Sequence, residues 1–528
     1  MPTTPDRFVL LGRIVTMDDA FTVVDDGALY VDKNHVAAVQ TSKAPAPAGF
    51  ESAPRVRTGG TLYPGLIDLH NHLSYNALRL WRVPQRFDNR GQWARHREYA
   101  QLVTGPMGVL GRSDDREILP ALVTYVECKC LFGGTTTSQG IALASNAGVR
   151  AYYKGSIRVV EGASQPGMPR ANSHIADVAT REWPHFFGDL KEATCLLLHL
   201  SEGLGPTARQ HFLTLKGPED KWAILEALAG IHCGGLEEED FGVLADNRGT
   251  MVWSPLSNLL LYGGTANVKS AKEHGVTMAL GPDWSPTGSK NVLGELKVAK
   301  LVSQNQGDLF ADRDIVAMAT KNPAKILKWN TAVGSLEAGK RADVLVVRGA
   351  KDDPYTSLIA ANEAHVDLVL IDGLPRFGST KLMRALGSDG EHVTVSGNLK
   401  LANMGGGQPA VVKTLPISDA KSVLSKALRD MPKANEPTVR APRTDSDEPM
   451  WHLALDEEAA DARSISGSPL GPGDIAFPGE FAAAAPPLPF IALELDPISM
   501  ADDGKFLDTI GFQPNLPDFV KRGLPKFF

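Results

Sequence analysis

The 528 residues are 43% hydrophobic, 22% charged and 7% aromatic, an ordinary globular composition. The 54 Lys and Arg against 61 Asp and Glu leave a formal charge of -7, which argues against nucleic-acid and membrane-surface partners, since both need a basic face. Four cysteines without C-x-x-C spacing rule out a disulfide scaffold and fit a reducing, cytoplasmic setting.

At the N-terminus, Phe8–Leu11 is too short an apolar run for a signal-peptide core, and no apolar stretch approaches the ~20 residues that span a bilayer. Phe8–Val15, Gly27–Val31 and Val36–Gln40 read as antiparallel strands punctuated by Asp18-Asp19, Asp25-Asp26 and Lys33-Asn34. From residue 61 the pattern changes to short apolar strands alternating with helices. Strands are expected at Leu62–Leu69, Thr135–Gly140, Val149–Tyr153, Cys195–His199, Ala229–His232, Met251–Trp253 and Val276–Leu280. Helices are expected at Glu117–Phe132, Lys221–Leu228, Glu237–Asn247 and Asp312–Thr320. This alternation favours a parallel sheet, and both an open doubly wound sheet and a closed barrel satisfy it. Gly162–Leu190 yields no convincing strand.

Further on, Asp343–Val347 and Val366–Ile371 form a second β-rich patch ending in the turn Asp372-Gly373. Each patch is too small to fold alone, so the two are expected to pair into one sheet domain. The expected division is therefore a composite domain of residues 1–60 and 336–385, a central domain of 61–335, and an extension of 386–528. Linker composition appears in that extension at Gly405–Gly407, Asn435–Pro449 and Ala482–Pro489.

The sharpest local feature is Gly65-Leu-Ile-Asp-Leu-His70-Asn-His72. Residues two apart on a strand share a face, so His70 and His72 project together at a strand end. Three further polar residues close apolar strands: His199 after Cys195-Leu-Leu-Leu, His232 after Leu228-Ala-Gly-Ile, and Asp283 after Met278-Ala-Leu-Gly-Pro. Any one alone reads as a hydrogen-bonded structural residue. Two neighbouring imidazoles are a natural start for a metal site, and all five polar residues at the same end of successive strands are hard to dismiss as structural, since barrel active-site residues lie at such ends.

These motifs resemble the amidohydrolase superfamily of metal-dependent hydrolases, closest to the branch of cytosine, guanine and adenosylhomocysteine deaminases and triazine hydrolases. The resemblance spans residues 8–375. It rests on Tyr63-Pro-Gly-Leu-Ile-Asp-Leu-His-Asn-His72, Gly133-Gly-Thr-Thr-Thr137, His199-Leu-Ser-Glu202, His232-Cys233, Ser254-Pro-Leu-Ser-Asn258, Leu280-Gly-Pro-Asp283, Asn322-Pro-Ala324 and Gly339-Lys-Arg-Ala-Asp343.

It implies an α/β fold, a (β/α)8 barrel with a small β-sandwich built from both flanks. It also implies that His70, His72, His199 and Asp283 hold one divalent ion, with His232 close by. Three imidazoles and a carboxylate suit zinc, and iron, manganese or nickel by ligand type. The implied reaction is attack of activated water on an sp² carbon bonded to nitrogen in a small molecule: heterocycle deamination, or amide, carbamate or urea hydrolysis. Glu202, His232 and Asp283 would be catalytic, with Glu202 moving a proton to the leaving group and His232 stabilising developing charge.

Displacement of a non-nitrogen leaving group and a non-catalytic scaffold are the alternatives. Substrate contacts are expected from Tyr75, Trp81, Arg82, Arg158, Asn258 and Trp284, with Trp284 standing where relatives carry a small residue. Lys154 is weighed as support for a second metal. The partner is a small-molecule substrate, with self-association left open.

Overall fold

The computed structural model describes residues 4–145, 149–162, 165–175, 177–349, 353–405, 412–434, 450–455 and 488–528. Of the expected linkers, residues 406–407, 435–449 and 482–487 lie outside the described residues.

The centre is α/β. Eight parallel strands run in chain order: β1 (Leu66–Asp68), β2 (Thr135–Ser138), β3 (Arg158–Val159), β4 (Asn172–His174), β5 (Leu196–Leu200), β6 (Leu228–His232), β7 (Thr250–Trp253) and β8 (Met278–Leu280). Hydrogen bonding groups them as two sheets, β1-β2-β3 and β4-β5-β6-β7-β8. Backbone bonds also cross both seams. Ala171 N donates to Val160 O at 3.0 Å between β3 and β4, and Asp283 N to His70 O at 2.9 Å between the ends of β8 and β1. Every residue of β5 and β6 is buried, as expected of parallel strands covered on both faces.

Two strands differ from expectation. Arg150–Tyr152, expected in the central parallel set, pairs antiparallel with Ala142–Ser145, which in turn pairs with Trp451–Leu453. A doubly covered strand has no place for its exposed Arg150, and the third parallel position falls instead to Arg158–Val159. The fourth, β4, lies inside Gly162–Leu190, at only three residues too short to show a periodicity. Lys221–Leu228 is not helical, because Ala223 N is spent on Leu215 O and the chain turns into β6.

The flanks do pair. Arg7–Val15, Val23–Asp32, His35–Thr41 and Arg55–Pro64 join Val344–Arg348, Val366–Ile371, Leu374–Ser379, Glu391–Val395 and Asn398–Ala402 in one nine-stranded sheet. That sheet continues past residue 385 by two strands. Its bonding defines a single sheet, so two facing sheets are not shown by it. Asp372 and Gly373 turn the hairpin between Val366–Ile371 and Leu374–Ser379 with φ of 51° and 74°, the left-handed pair a tight two-residue turn needs.

Helix Ile118–Phe132 is buried nearly all round, so it lies between layers rather than on a surface. Helix Ile417–Arg429 from the extension adds Leu424 and Leu428 to the same core cluster as Leu122 and Val126. Among the described residues, no helix is long and apolar enough to cross a membrane.

Candidate metal and active site

The carboxyl ends of the parallel strands converge. His70 and His72 follow β1, His199 lies in β5, His232 closes β6, and Asp283 stands three residues after β8. The His70 ring centroid is 5.0 Å from that of His72, 4.7 Å from His199 and 5.0 Å from His232. Asp283 Oδ1 lies 3.0 Å from His70 Nε2 and 3.4 Å from His72 Nε2. The potential ligand atoms of His70, His72 and His199 fall within 4.8 Å of one another, as do those of His70, His232 and Asp283, and of His199, Glu202 and His232.

Local backbone makes this approach possible. A β-carbon at Gly281 would collide with His70, so glycine there lets the two strand ends close up. Ser201, His232 and Asp283 adopt φ of 52°, 68° and 68°, a left-handed region that costs a non-glycine residue about 1–3 kcal/mol. Strain at three positions of one cluster argues that the side chains are held for chemistry rather than for folding.

Second contacts orient the donors. His70 Nδ1 lies 3.2 Å from Gln139 Oε1, and His232 Nδ1 3.2 Å from Asn258 Oδ1. Ser257 Oγ donates to Asp283 Oδ2 at 2.7 Å. An oxygen facing each Nδ1 selects the Nδ1–H tautomer, which turns the Nε2 lone pair inward.

The donor set fits a divalent cation. His70 Nε2 and His199 Nδ1 are buried without an aligned hydrogen bond, a costly arrangement unless something else engages them. The 3.0 Å approach of His70 Nε2 to Asp283 Oδ1 is thus a contact of two inward-facing lone-pair atoms, not a directed hydrogen bond.

Charge states agree. Burial holds His70 below its ordinary pKa against the opposing pull of Asp283, and burial with its neighbours His70 and Arg90 holds His199 well below. Asp283 is also buried, which alone would raise it, but His70, His72 and His232 outweigh that and hold its carboxyl well below the usual range. Neutral imidazoles and an ionised carboxylate are the forms that bind metal.

Glu202 lies two residues past β5, buried, with Oε2 3.7 Å from His232 Nε2. A cavity of about 100 Å³ opens beside His72 and His199 and is walled by Gln139, Tyr152, Glu161 and His174, with Ala454 from the extension. Glu202, His232 and Asp283 lie outside that lining.

The expected substrate contacts divide. Tyr75 and Trp284 are buried against the site, with Trp284 4.9 Å from the His72 ring and 4.8 Å from Tyr75. Asn258 touches His232. Trp81 packs among Phe87, His96 and Tyr99, one layer out. Arg82 lies over the exposed ring of Phe512. Arg158 is committed elsewhere: its guanidinium pairs with Asp343 and Asp372, beside the flanking sheet. Lys154 is exposed on the loop after Arg150–Tyr152, outside β3 and the cluster.

Gln139, Tyr262 and Trp93 did not stand out in the sequence. Gln139 obeys the strand-end rule that marks His70. Tyr262 sits four residues after Asn258 on one helix face, a spacing that carries it to the same side of the site.

Residues 213–375 match the amidohydrolase family model. The match covers part of the site, since His232 and Asp283 lie inside 213–375 while His70, His72 and His199 precede it.

Over 234 residues the chain is 29% identical to a 5-methylthioadenosine/S-adenosylhomocysteine deaminase of Caldanaerobacter subterraneus subsp. tengcongensis, covering 42% of this chain and 52% of the relative. The chain thus spans about half the length of that relative. A longer match, 24% identical over 379 residues, reaches the enzyme of the same name from Symbiobacterium thermophilum and covers 64% of this chain and 84% of that one.

An adenosine deaminase from Xanthomonas campestris, solved with bound zinc, superimposes with a TM-score of 0.53 at 18% identity, over 71% of this chain and 94% of that one. That likeness is one of fold.

Proposed function

We propose that this amidohydrolase-domain protein is a metal-dependent hydrolase that breaks a carbon–nitrogen bond of a small molecule, with removal of an amino group from a heterocycle as the favoured reaction. The observation that carries the reading is the convergence of His70, His72, His199, His232 and Asp283, with Glu202 against its edge. His70, His72, His199 and Asp283 are the proposed ligands of one divalent ion, zinc by donor type. When bound, such an ion lowers the pKa of water toward about 7 and polarises the attacked group.

The chain's own groups do the rest. Asp283 accepts a proton from the attacking water, and Ser257 holds its second oxygen. Glu202 carries a proton to the leaving nitrogen. His232, fixed by Asn258, faces the charge that develops on the substrate. The cavity beside His72 and His199 is the proposed substrate site, and Tyr75 and Trp284 pack against the His72 ring.

Two finer features of the fold belong to this reading. The seam bonds at Val160–Ala171 and His70–Asp283 support closure of the eight strands as a barrel. Phe8 and Leu29 from one flank share a core cluster with Leu368 and Leu401 from the other, which supports a sheet folded on itself as a sandwich.

The curated relatives are named for deamination of 5-methylthioadenosine and S-adenosylhomocysteine, so these head the test panel. Zinc-loaded protein is to be assayed for ammonia and amine release from those two, other aminoheterocycles, N-acyl amino acids, ureas and carbamates. The expected result is ammonia release from an aminoheterocycle, lost on chelation and restored by zinc. Well under one equivalent of bound metal, unchanged by His70→Ala, would overturn the reading.

A further inference from the structure

Glu202 does not stand alone at the edge of the cluster. Tyr262 Oη donates to Glu202 Oε1 at 2.8 Å, and Trp93 Nε1 donates to Tyr262 Oη at 2.7 Å. Trp93, Tyr262 and Glu202 are all buried. From this chain we infer that Tyr262 is a positioning residue for Glu202, holding Oε1 as an acceptor and leaving Oε2 as the oxygen that carries the proton. The assignment rests on the reading of Glu202 as proton carrier given above.

Direction is what the geometry supplies. An indole N–H can only donate, so Trp93 fixes the Tyr262 oxygen as its acceptor. The single phenolic hydrogen then points to Glu202 Oε1, and an oxygen accepting it is not the one that carries the mobile proton. Oε2 faces His232 Nε2 at 3.7 Å and Arg90 Nε at 3.9 Å.

Two further features hold the chain in place. Gly263, with φ of 69°, ends helix Pro255–Tyr262 at the tyrosine. The backbone of Asn89 bridges that of Gly203, tying the segment that carries Trp93 to the one that carries Glu202.

In the hydrolysis the oxygen of water joins the carbon and the C–N bond breaks with its electron pair on nitrogen. Oε2 delivers its proton to that nitrogen, and the proton that water gave to Asp283 replaces it on Glu202 before the next turnover.

The test is a double-substitution cycle on the full-length zinc-loaded protein, using 5′-methylthioadenosine or whichever aminoheterocycle of the panel the wild type turns over. Tyr262→Phe is expected to lower kcat about tenfold with KM within about twofold, a share of the 10²–10⁴ that a placed acid contributes. In a Glu202→Ala background the same substitution should change kcat by less than about twofold, since partners that act as a unit are not additive. Trp93→Phe keeps an aromatic ring and removes the donor; its smaller loss should vanish in Tyr262→Phe. Equal losses in both Glu202 backgrounds, or a loss that resides in KM, would overturn the inference.

Thermal unfolding of the same variants without metal reads the bond independently of turnover. Tyr262→Phe should lower Tm in the wild type and not in Glu202→Ala, and additive losses would sink the inference. If the wild type deaminates nothing, the functional reading falls and the thermal cycle alone decides the role of Tyr262.

Discussion

Asp283 combines a left-handed backbone, burial and two histidine contacts, so its carboxylate answers to the cluster more than to its own strand. Asp283→Asn keeps the shape and removes the charge. The expected outcome is protein that unfolds in one cooperative step but retains well under one equivalent of metal and little turnover, read by elemental analysis and ammonia release. Gln139 tests the layer behind. Gln139→Leu deprives His70 Nδ1 of its acceptor, and second contacts of this kind are typically worth about 10–100-fold in metal affinity. A chelator competition titration showing unchanged affinity would remove Gln139 from that role. The strand-end rule made His70, His72, His199, His232 and Asp283 readable, because a polar residue closing an apolar strand is visible without knowing the fold. Tyr262 was not readable. Its partner Glu202 lies 60 positions away, and nothing local marks a tyrosine at a helix end as the donor to it.

Among the elements, several matched their expected ranges closely: helix Ile118–Phe132, strands Arg7–Val15 and His35–Thr41 of the first flank, and Val366–Ile371, whereas the expected Gly27–Val31 is only part of Val23–Asp32. The failures were short. β3 has two residues and β4 three, and no periodicity can be read over such lengths. Val149–Tyr153 had the stronger strand composition, yet its exposed arginine fits an outer hairpin and not a doubly covered strand. Helix Val292–Asn305 shows a different limit, because its Lys297 is fully buried. That side chain donates to the carbonyls of Leu293 and Ala361, and burial pulls its pKa down to about 7 despite Glu363. Between that value and the ordinary lysine range near 10.4, the unfolded chain binds more protons than the folded one, so Lys297 adds stability as pH rises through this window. Below about pH 7 both states hold the proton and the burial penalty is fully present. Lys297→Met should therefore raise Tm most at pH 6, and its Tm gain from pH 6 to 9 should be smaller than that of the wild type. Parallel Tm–pH curves for the two proteins would contradict this.

At the scale of the molecule, the extension beyond residue 386 is woven into the rest rather than appended to it. It adds two strands to the nine-stranded sheet, a helix against Ile118–Phe132 and a wall residue, Ala454, to the cavity. Composition could not announce the helix or the wall residue, since contacts made across most of the chain leave no local pattern, whereas the two strands are a hairpin that pairs with the neighbouring Leu374–Ser379. The last segment, 488–528, straps the loop that follows His72. Asp496 N donates to Ala77 O at 2.9 Å, and Gln513 clasps Val83 N at 3.1 Å and Trp81 O at 2.8 Å. One carboxylate anchors the strap: Asp496 accepts from both Lys129 and Lys290, all three buried. Lys129 also donates to Asn76 O and to Ser285 Oγ at 3.0 Å, so this anchor reaches the segments that follow His72 and Asp283. Removing one partner of a buried ion pair is expected to cost about 3–5 kcal/mol, because the remaining charge is left uncompensated. Asp503, 2.9 Å from Lys290, leaves Lys290 a partner while Lys129 loses its only carboxylate contact among the described residues. Asp496→Asn should therefore lower Tm and open 488–528 to limited proteolysis. Lys129→Met in the same chain should restore much of the loss, since it removes the stranded charge. A double variant no more stable than Asp496→Asn alone would show that the strap is held by its backbone clasps and not by this ion pair.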